Sequence, residues 1–368
     1  MILLDKRILT HFDYVQPALI LPIIFLSYSL INEASDMLSA KMIAYFIIGF
    51  GAFMLFFLLP IRKLEWLIPS VYWINIILLL SVEFVGVSKL GAQRWIEIPF
   101  INFTIQPSEI MKPAFVLMLA YIIKKTPPDE NGYNFKQFLK ISFYILLPFF
   151  LILKEPDLGT ALMLLITGYG VLFIVGVNRK IWISIALLIG ICSPILYENL
   201  HDYQKQRIAD FISEKPSYQV RQSIIAIGNG GITGKSIDEA TQTKFKFLPI
   251  ATSDFIFAYT VERYGFIGGA GLIMLYGFLI MHLLSLNYKL KDEYFIKAAV
   301  SAVALLIFIY VSVNIFMTIG FAPVVGIPLP FYSYGGSSFI TFMCLFGILQ
   351  NLLTFRFDKT NRFVKINF

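Results

Sequence analysis

Asp254 lies where a polar loop meets a long apolar run, in the stretch FKFLPIATSDFIFAYTVERYGFIGG that covers residues 245–269. A carboxylate at the edge of a hydrocarbon layer can have its pKa raised by burial and still be reached by solutes, which suits a general base. Glu262 follows at i+8, on roughly the same face of a helix. A carboxylate inside a span costs about 2.5–3.5 kcal/mol, so Glu262 is expected, with Arg263, in a polar interior network. Ser253-Asp254 ahead of a long helix also reads as an N-cap, and the two roles can coexist. Asp157, in EPDLGT (155–160), is more cap-like still. Glu109 and Lys112, three apart, are expected to pair on one helix. Arg94, between Gln93 and Trp95, could hold a phosphate and a sugar face, though an interfacial Arg-Trp pair is also an ordinary membrane anchor.

These groups need a scaffold, and the composition says which kind. The 368 residues are 58% hydrophobic and 14% charged, with a mean hydropathy of +0.75. Apolar runs of about 17–25 residues recur from end to end, as in a polytopic helical membrane protein. Ten spans are expected, at 17–33, 40–60, 66–85, 107–124, 139–154, 158–177, 181–198, 254–285, 296–319 and 336–355. The fold class is all-α, one transmembrane domain over 1–368, with a large extracytoplasmic loop at 199–253 between helices 7 and 8. The first apolar run lacks a small-residue cleavage site and reads as a span.

Loop charges set the orientation. In the short loops Arg62, Lys63, Lys124, Lys125, Arg179, Lys180 and the bases of both termini fall on one side, and only Lys41, Lys89, Arg94 and Lys154 on the other. The long loop at 199–253 carries seven Lys and Arg, but long translocated loops are largely exempt from the rule. Both termini are therefore expected in the cytoplasm, and the net charge of +7 reflects this topology rather than nucleic-acid binding. Cys192 and Cys344 fall in apolar spans, so neither a disulfide nor a redox role is expected, and three scattered histidines make no metal site.

With that topology four polar stretches share the outer side, each beside a helix start: KLGAQRWIEIPFINFTIQPSE (89–109), EPDLGT, TSDFIF (252–257) and PLPFYSYGGSS (328–338). Helix N-termini carry free N–H groups and partial positive charge, so the cluster suits an anion such as a pyrophosphate. YSYGGSS reads as a turn ending in a serine cap. Within the long loop, Val220, Ile224, Ile225 and Ile227 suggest a helix lying at the membrane surface. GNGGITGKS (228–236) fails as a P-loop, because the opening glycine of that pattern falls on Asn229 and no strand precedes it; it reads as a flexible turn.

At GAQRWI (91–96), QPSEIMK (106–112), EPDLGTA (155–161), HDYQKQRI (201–208), AIGNGGITGKS (226–236), FLPIATSDFIFAYTVERYG (247–265) and PLPFYSYGGSS the chain resembles the SEDS family of bacterial cell-wall proteins, over nearly its whole length. GAQRW and HDYQKQR look more like the elongation members than the division members. The resemblance implies a glycosyltransferase of the inner membrane that polymerises lipid II, a disaccharide-pentapeptide on undecaprenyl pyrophosphate, at the outer face. It further implies a class B penicillin-binding protein as partner, other elongation-complex proteins, and membrane lipid. The family's essential aspartate maps onto Asp254. Substrate contacts are expected from Arg94, Trp95, Glu109, Lys112, Asp157, Arg207, Arg221, Glu262 and Ser337, with Arg94, Arg207 or Arg221 meeting the pyrophosphate.

Two departures stand out. Many members read PE-x-HTDF where this chain has Pro249-Ile250-Ala251-Thr252-Ser253-Asp254-Phe255, and EELG is replaced by Glu262-Arg263-Tyr264-Gly265. A magnesium or manganese ion could assist the pyrophosphate, but no dedicated ligand cluster is visible. The rival classes are a lipid II flippase, a division-type polymerase and a non-enzymatic scaffold. A flippase needs a polar path through the midplane, whereas the polar candidates crowd the outer end.

Overall fold

The structure, a computed structural model, describes residues 10–89, 92–98, 103–198, 205, 209, 216–290 and 293–356. Ten long helices stand at the ten expected places. They are α1 Val15–Ala34, α2 Asp36–Leu58, α3 Ile68–Val85, α4 Pro107–Lys125, α5 Phe135–Lys154, α6 Leu158–Val175, α7 Arg179–Glu198, α10 Ile256–Lys289, α11 Tyr294–Thr318 and α12 Gly336–Thr354. The long loop adds α8 Tyr218–Gly230 and the single turn α9 Thr241–Lys244. Among the described residues eight helices are long and apolar enough to cross a membrane. The other two long ones, α4 and α7, carry charges in their first and last turns. The chain is a multi-pass membrane protein.

Local chemistry sets several boundaries. Asn134 and Gln137 form a capping box at the start of α5, each side chain accepting from the other's backbone N–H, at 3.0 and 3.1 Å. Proline opens α4, where its missing N–H costs nothing. α11 and α12 are the most enclosed helices, while α2 presents most of its side chains outward, as a lipid-facing helix does. α2 and α12 approach closely, since a Cβ on Gly347 would sit 2.5 Å from the Phe53 carbonyl oxygen.

Two features depart from the expected pattern. Residues 89–109 are not a plain loop: β1 Val87–Lys89, β2 Ala92–Ile98 and β3 Phe103–Ile105 form an antiparallel ribbon in the order β1-β2-β3. Gln93-Arg94-Trp95-Ile96-Glu97 lacks the strict apolar–polar alternation of a half-buried strand, so the ribbon rests on its backbone pairing rather than on a side-chain pattern. And α10 is two helices, 256–264 and 266–289, separated by Gly265 at φ 67°, ψ −169°.

The second break explains the glycine-rich run, which is a packed element rather than a flexible turn. Phe266 N donates to Gly231 O at 2.8 Å, Lys235 N to Glu262 O at 2.9 Å. A Cβ on Gly230 would lie 2.0 Å from Val261 O, and one on Gly234 2.2 Å from Arg263 O. Only glycine lets the two backbones meet. α8 is amphipathic as expected, but it buries Val220, Ser223 and Ala226 against the protein and turns Ile224 and Ile225 outward. Ser223 Oγ donates to Thr318 O at 2.7 Å, which fixes it to α11.

Candidate active site

The backbone around Asp254 is tethered at three successive carbonyls. Thr252 O accepts from Tyr334 N at 2.9 Å, Ser253 O from Ser333 Oγ at 2.6 Å, and Asp254 O from Asn314 Nδ2 at 2.9 Å. The turn that supplies two of these donors is itself pinned. Leu329 N donates to Ser333 Oγ at 2.8 Å, Tyr276 Oη to Pro330 O at 2.6 Å, and Ser27 Oγ to Tyr332 O. Asp254 is half-buried and lies one residue before the N-cap position of α10, which Phe255 fills without a side-chain bond. That corrects the reading of Asp254 as the N-cap.

The segment Val325–Ile327 joins this corner to a second one. Asn314 Nδ2 also donates to Ile327 O at 2.6 Å. Gly326, at φ 71°, flanks the carboxylate: a Cβ there would lie 3.5 Å from Asp254 Oδ2. On the other side of the segment, a Cβ on Gly159 would lie 3.2 Å from Val325 O. The start of α6 is therefore in contact with the strip that borders Asp254.

Asp157 caps α6, its Oδ1 accepting from Thr160 N at 3.2 Å. Its Oδ2 accepts from Gln106 Nε2 at 3.3 Å, and Arg94 Nη1 lies 3.7 Å from Oδ1. Arg94 is committed to the same turn, donating from Nε to Glu155 O at 3.1 Å and from Nη2 to Pro156 O. Neighbouring strand residues leave a ribbon on opposite faces, so Arg94 and Trp95 do not form one joint phosphate-and-sugar grip. Glu109 and Lys112 pair at 2.6 Å, with the ammonium 4.9 Å from the centre of the Tyr310 ring. Tyr310 and Asn314, one turn apart, give α11 a single face that touches both the Lys112 pair and the Asp254 loop.

Glu155 sits inside this second corner, 6% exposed, with no hydrogen-bond partner on either carboxylate oxygen. Burial, and then the Asp157 charge, push its pKa from 4.5 up to about 8, against the opposing pull of Arg94. The folded chain then holds a proton that the unfolded chain releases. Stability from this group is full below pH 4.5 and falls as the pH rises toward about 8. Glu155→Gln is expected to flatten that fall and to stabilise the protein at pH 8 by roughly a few kcal/mol. Thermal unfolding of both proteins between pH 5 and 8.5 measures it; parallel pH curves would refute the assignment.

Glu262 is fully buried, but it faces the long loop. Its carboxylate accepts from Asn229 Nδ2 at 3.3 Å, Gln242 N at 3.0 Å, Thr243 N at 3.1 Å and Thr243 Oγ1 at 2.6 Å. The expected polar network is present, and its task is to fasten α9. Arg263 pairs with Glu33 at 2.7 Å and donates to Lys235 O. Ser337 is exposed in the first turn of α12, whose N-cap position is Gly335 with no side-chain bond. That corrects the serine-cap reading; the serine that organises the turn is Ser333. Arg221 is exposed on α8. Arg207 lies outside the described residues. Among those residues no three acidic, histidine or cysteine side chains converge as ligands of an ion would.

Sequence reading missed Asn314, Ser333, Gly326 and Glu155. Asn314 carried a signal, as a lone amide in the apolar run IYVSVNIFMT. Gly326 carried none, because its proximity to Asp254 arises from tertiary packing.

Among the described residues ten long helices, with the buried charged side chains Lys112, Glu155, Asp157 and Glu262 gathered at one end, define a multi-pass membrane protein with a polar site at the membrane boundary. A family profile covering FtsW, RodA and SpoVE, described as "Cell cycle protein", matches residues 8–357, and the chain belongs to this family, the SEDS proteins. It is 57% identical over 355 residues to a Helicobacter pylori (strain ATCC 700392 / 26695) protein named peptidoglycan glycosyltransferase MrdB, covering 96% of this chain and 93% of that one. The fold is similar to the crystal structure of Thermus thermophilus rod shape determining protein RodA, with a TM-score of 0.71 and 25% identity over 94% of this chain and 98% of that one. A chain from a peptidoglycan synthase complex that coordinates polymerisation and crosslinking aligns with a TM-score of 0.81, at 24% identity over 94% of this chain and 99% of its own.

Proposed function

We infer that this chain is a peptidoglycan glycosyltransferase of the elongation type, which joins lipid II units into glycan strands. The chemistry rests on one observation: a half-buried carboxylate, Asp254, tethered through three consecutive carbonyls at the end of the bundle where the other motifs meet. Asp254 takes the proton from the 4-hydroxyl of the acceptor sugar. The freed oxygen attacks C1 of the donor sugar, the C1–O bond to the pyrophosphate breaks, and the pyrophosphate leaves as an anion. Attack opposite an α-linked leaving group gives a β-linkage. Asp157 and Arg94 hold the turn that borders the strip beside Asp254, and so support the site rather than perform the transfer. Among the described residues no group of three acidic, histidine or cysteine side chains converges, and no step here runs through a metal ion.

The end bearing this site is read as the outer face of the cytoplasmic membrane, with both termini inside, following the bias of Lys and Arg in the short loops. The fully or nearly buried charged residues Lys112, Glu155, Asp157 and Glu262 all lie at this end, which favours a boundary reaction over a transport path. A class B penicillin-binding protein is the proposed partner, supported by the likeness to the synthase-complex chain. Strand synthesis from purified lipid II, with and without that transpeptidase, tests the reading. Polymer is expected; its absence in both, from well-folded protein, would move the assignment to a transporter.

A further inference from the structure

One of the three arginines expected to meet the leaving pyrophosphate is engaged elsewhere, since Arg94 is bonded to the 155–157 turn. A different basic surface adjoins Asp254. A cavity of about 610 Å³ opens between the α1–α2 corner and the loop segment 237–252, and Thr252, two residues before Asp254, forms part of its wall.

The charges on this wall do not cancel. Glu33 is matched to Arg263 at 2.7 Å. Lys244 pairs at 2.7 Å with Asp238, whose side chain is 88% exposed, a contact that water weakens. Lys246 has no carboxylate within ion-pair distance among the described residues. The remaining wall is mostly apolar, with Met37, Leu38, Leu248 and Ile250, interrupted by the hydroxyl-bearing Ser35, Thr243, Thr252 and Tyr259. An amphiphile with a phosphate head matches this combination, and a neutral sugar does not.

The wall is also built to keep its shape. Lys246 and Ile250 are non-glycine residues in the left-handed region, at φ 57° and 55°, a conformation that persists only when neighbouring contacts enforce it. Those contacts are present: Lys246 N donates to Thr243 O at 3.1 Å and Leu248 N to Gln242 O at 3.1 Å. Gln242 and Thr243 are in turn the residues that Glu262 holds. The buried carboxylate thereby positions the two lysines, although it touches no substrate itself.

We propose that this cavity receives the pyrophosphate and first isoprene units of the donor lipid, with Lys244 and Lys246 as the cationic contacts for the leaving group. The proposal rests on the polymerase reading. It places the leaving group beside the turn that carries the base, as transfer between two bound lipids requires, and releases Arg94 from that role.

The test uses the full chain with its partner transpeptidase in nanodiscs. Binding of undecaprenyl pyrophosphate, undecaprenol and phosphatidylglycerol is measured for wild type, a Lys244→Gln/Lys246→Gln double variant, and Lys63→Gln at the opposite end. Loss of two charge-assisted contacts is expected to weaken undecaprenyl pyrophosphate at least roughly tenfold. Undecaprenol binding and the Lys63→Gln control are expected to stay unchanged, and strand synthesis by the double variant to show a raised KM for donor. If the double variant misfolds, Lys246→Gln alone at its exposed position serves. Unchanged pyrophosphate-lipid binding in a folded variant, with wild type making strands, overturns the cavity assignment alone. Equal displacement by phosphatidylglycerol overturns it in favour of a phospholipid seat. No strands from wild type overturns the enzyme reading, and the donor role with it.

Discussion

Asp254→Asn protein, inserted and folded, is expected to polymerise lipid II about 10²–10⁴-fold more slowly than wild type, the range over which a positioned base acts. Asparagine keeps the size and polarity of the side chain and cannot take up a proton. The tethers at residues 252, 253 and 254 all end on main-chain oxygens, so the substitution leaves them in place. A loss of rate at unchanged melting temperature therefore isolates the carboxylate from its support. Strand yields from variant and wild type on the same lipid II, read at early times, decide it. A variant within a few-fold of wild type would remove Asp254 from the chemistry.

The second large effect is structural. Glu262→Ala deletes the acceptor for Asn229, for both backbone N–H groups at 242 and 243, and for the Thr243 hydroxyl. Each buried donor left without a partner costs about 1–3 kcal/mol, so the sum is enough to detach α9 and the segment around it. Trypsin is expected to cut after Lys244 and Lys246 far faster than in wild type, with strand synthesis falling in parallel. Glu262→Gln, which retains one accepting oxygen, is expected to fall between. Wild-type proteolysis of a folded Glu262→Ala protein would show that the loop is held by other means.

The spans were legible because each is a long apolar run, and a membrane permits few other solutions for such a run. The Glu109–Lys112 pair and the Asp157 cap were legible too, as they are set by residues three apart on one helix start. The β1–β3 ribbon was not, since its seven-residue central strand sits among apolar spans and Gln93-Arg94-Trp95-Ile96-Glu97 does not alternate polar with apolar. The break at Gly265 escaped for a different reason. Local sequence there is helical, and the left-handed turn is imposed by the glycine run at 230–234 coming from the loop. Long-range backbone contact of that sort has no local signature. Glu262 shows the same limit: i+8 spacing from Asp254 predicted a shared face, but the helix begins only at Ile256, and the carboxylate meets residues about twenty positions upstream.

The interruption at Gly265 has a mechanical meaning. An unbroken helix from Asp254 to Lys289 would be a stiff rod, and any tilt or rotation of its membrane half would swing the reactive end through an arc. With the rod cut, the glycine run clasps both sides of the break: Lys235 N donates to Glu262 O before it, and Phe266 N and Ile267 N donate to Gly231 O and Ile232 O after it. The turn before α12 is bonded from both pieces, at Thr260 and Tyr276. The break is therefore a clasped joint rather than a free hinge, and the base is located by the contacts around it instead of by the far end of a long lever.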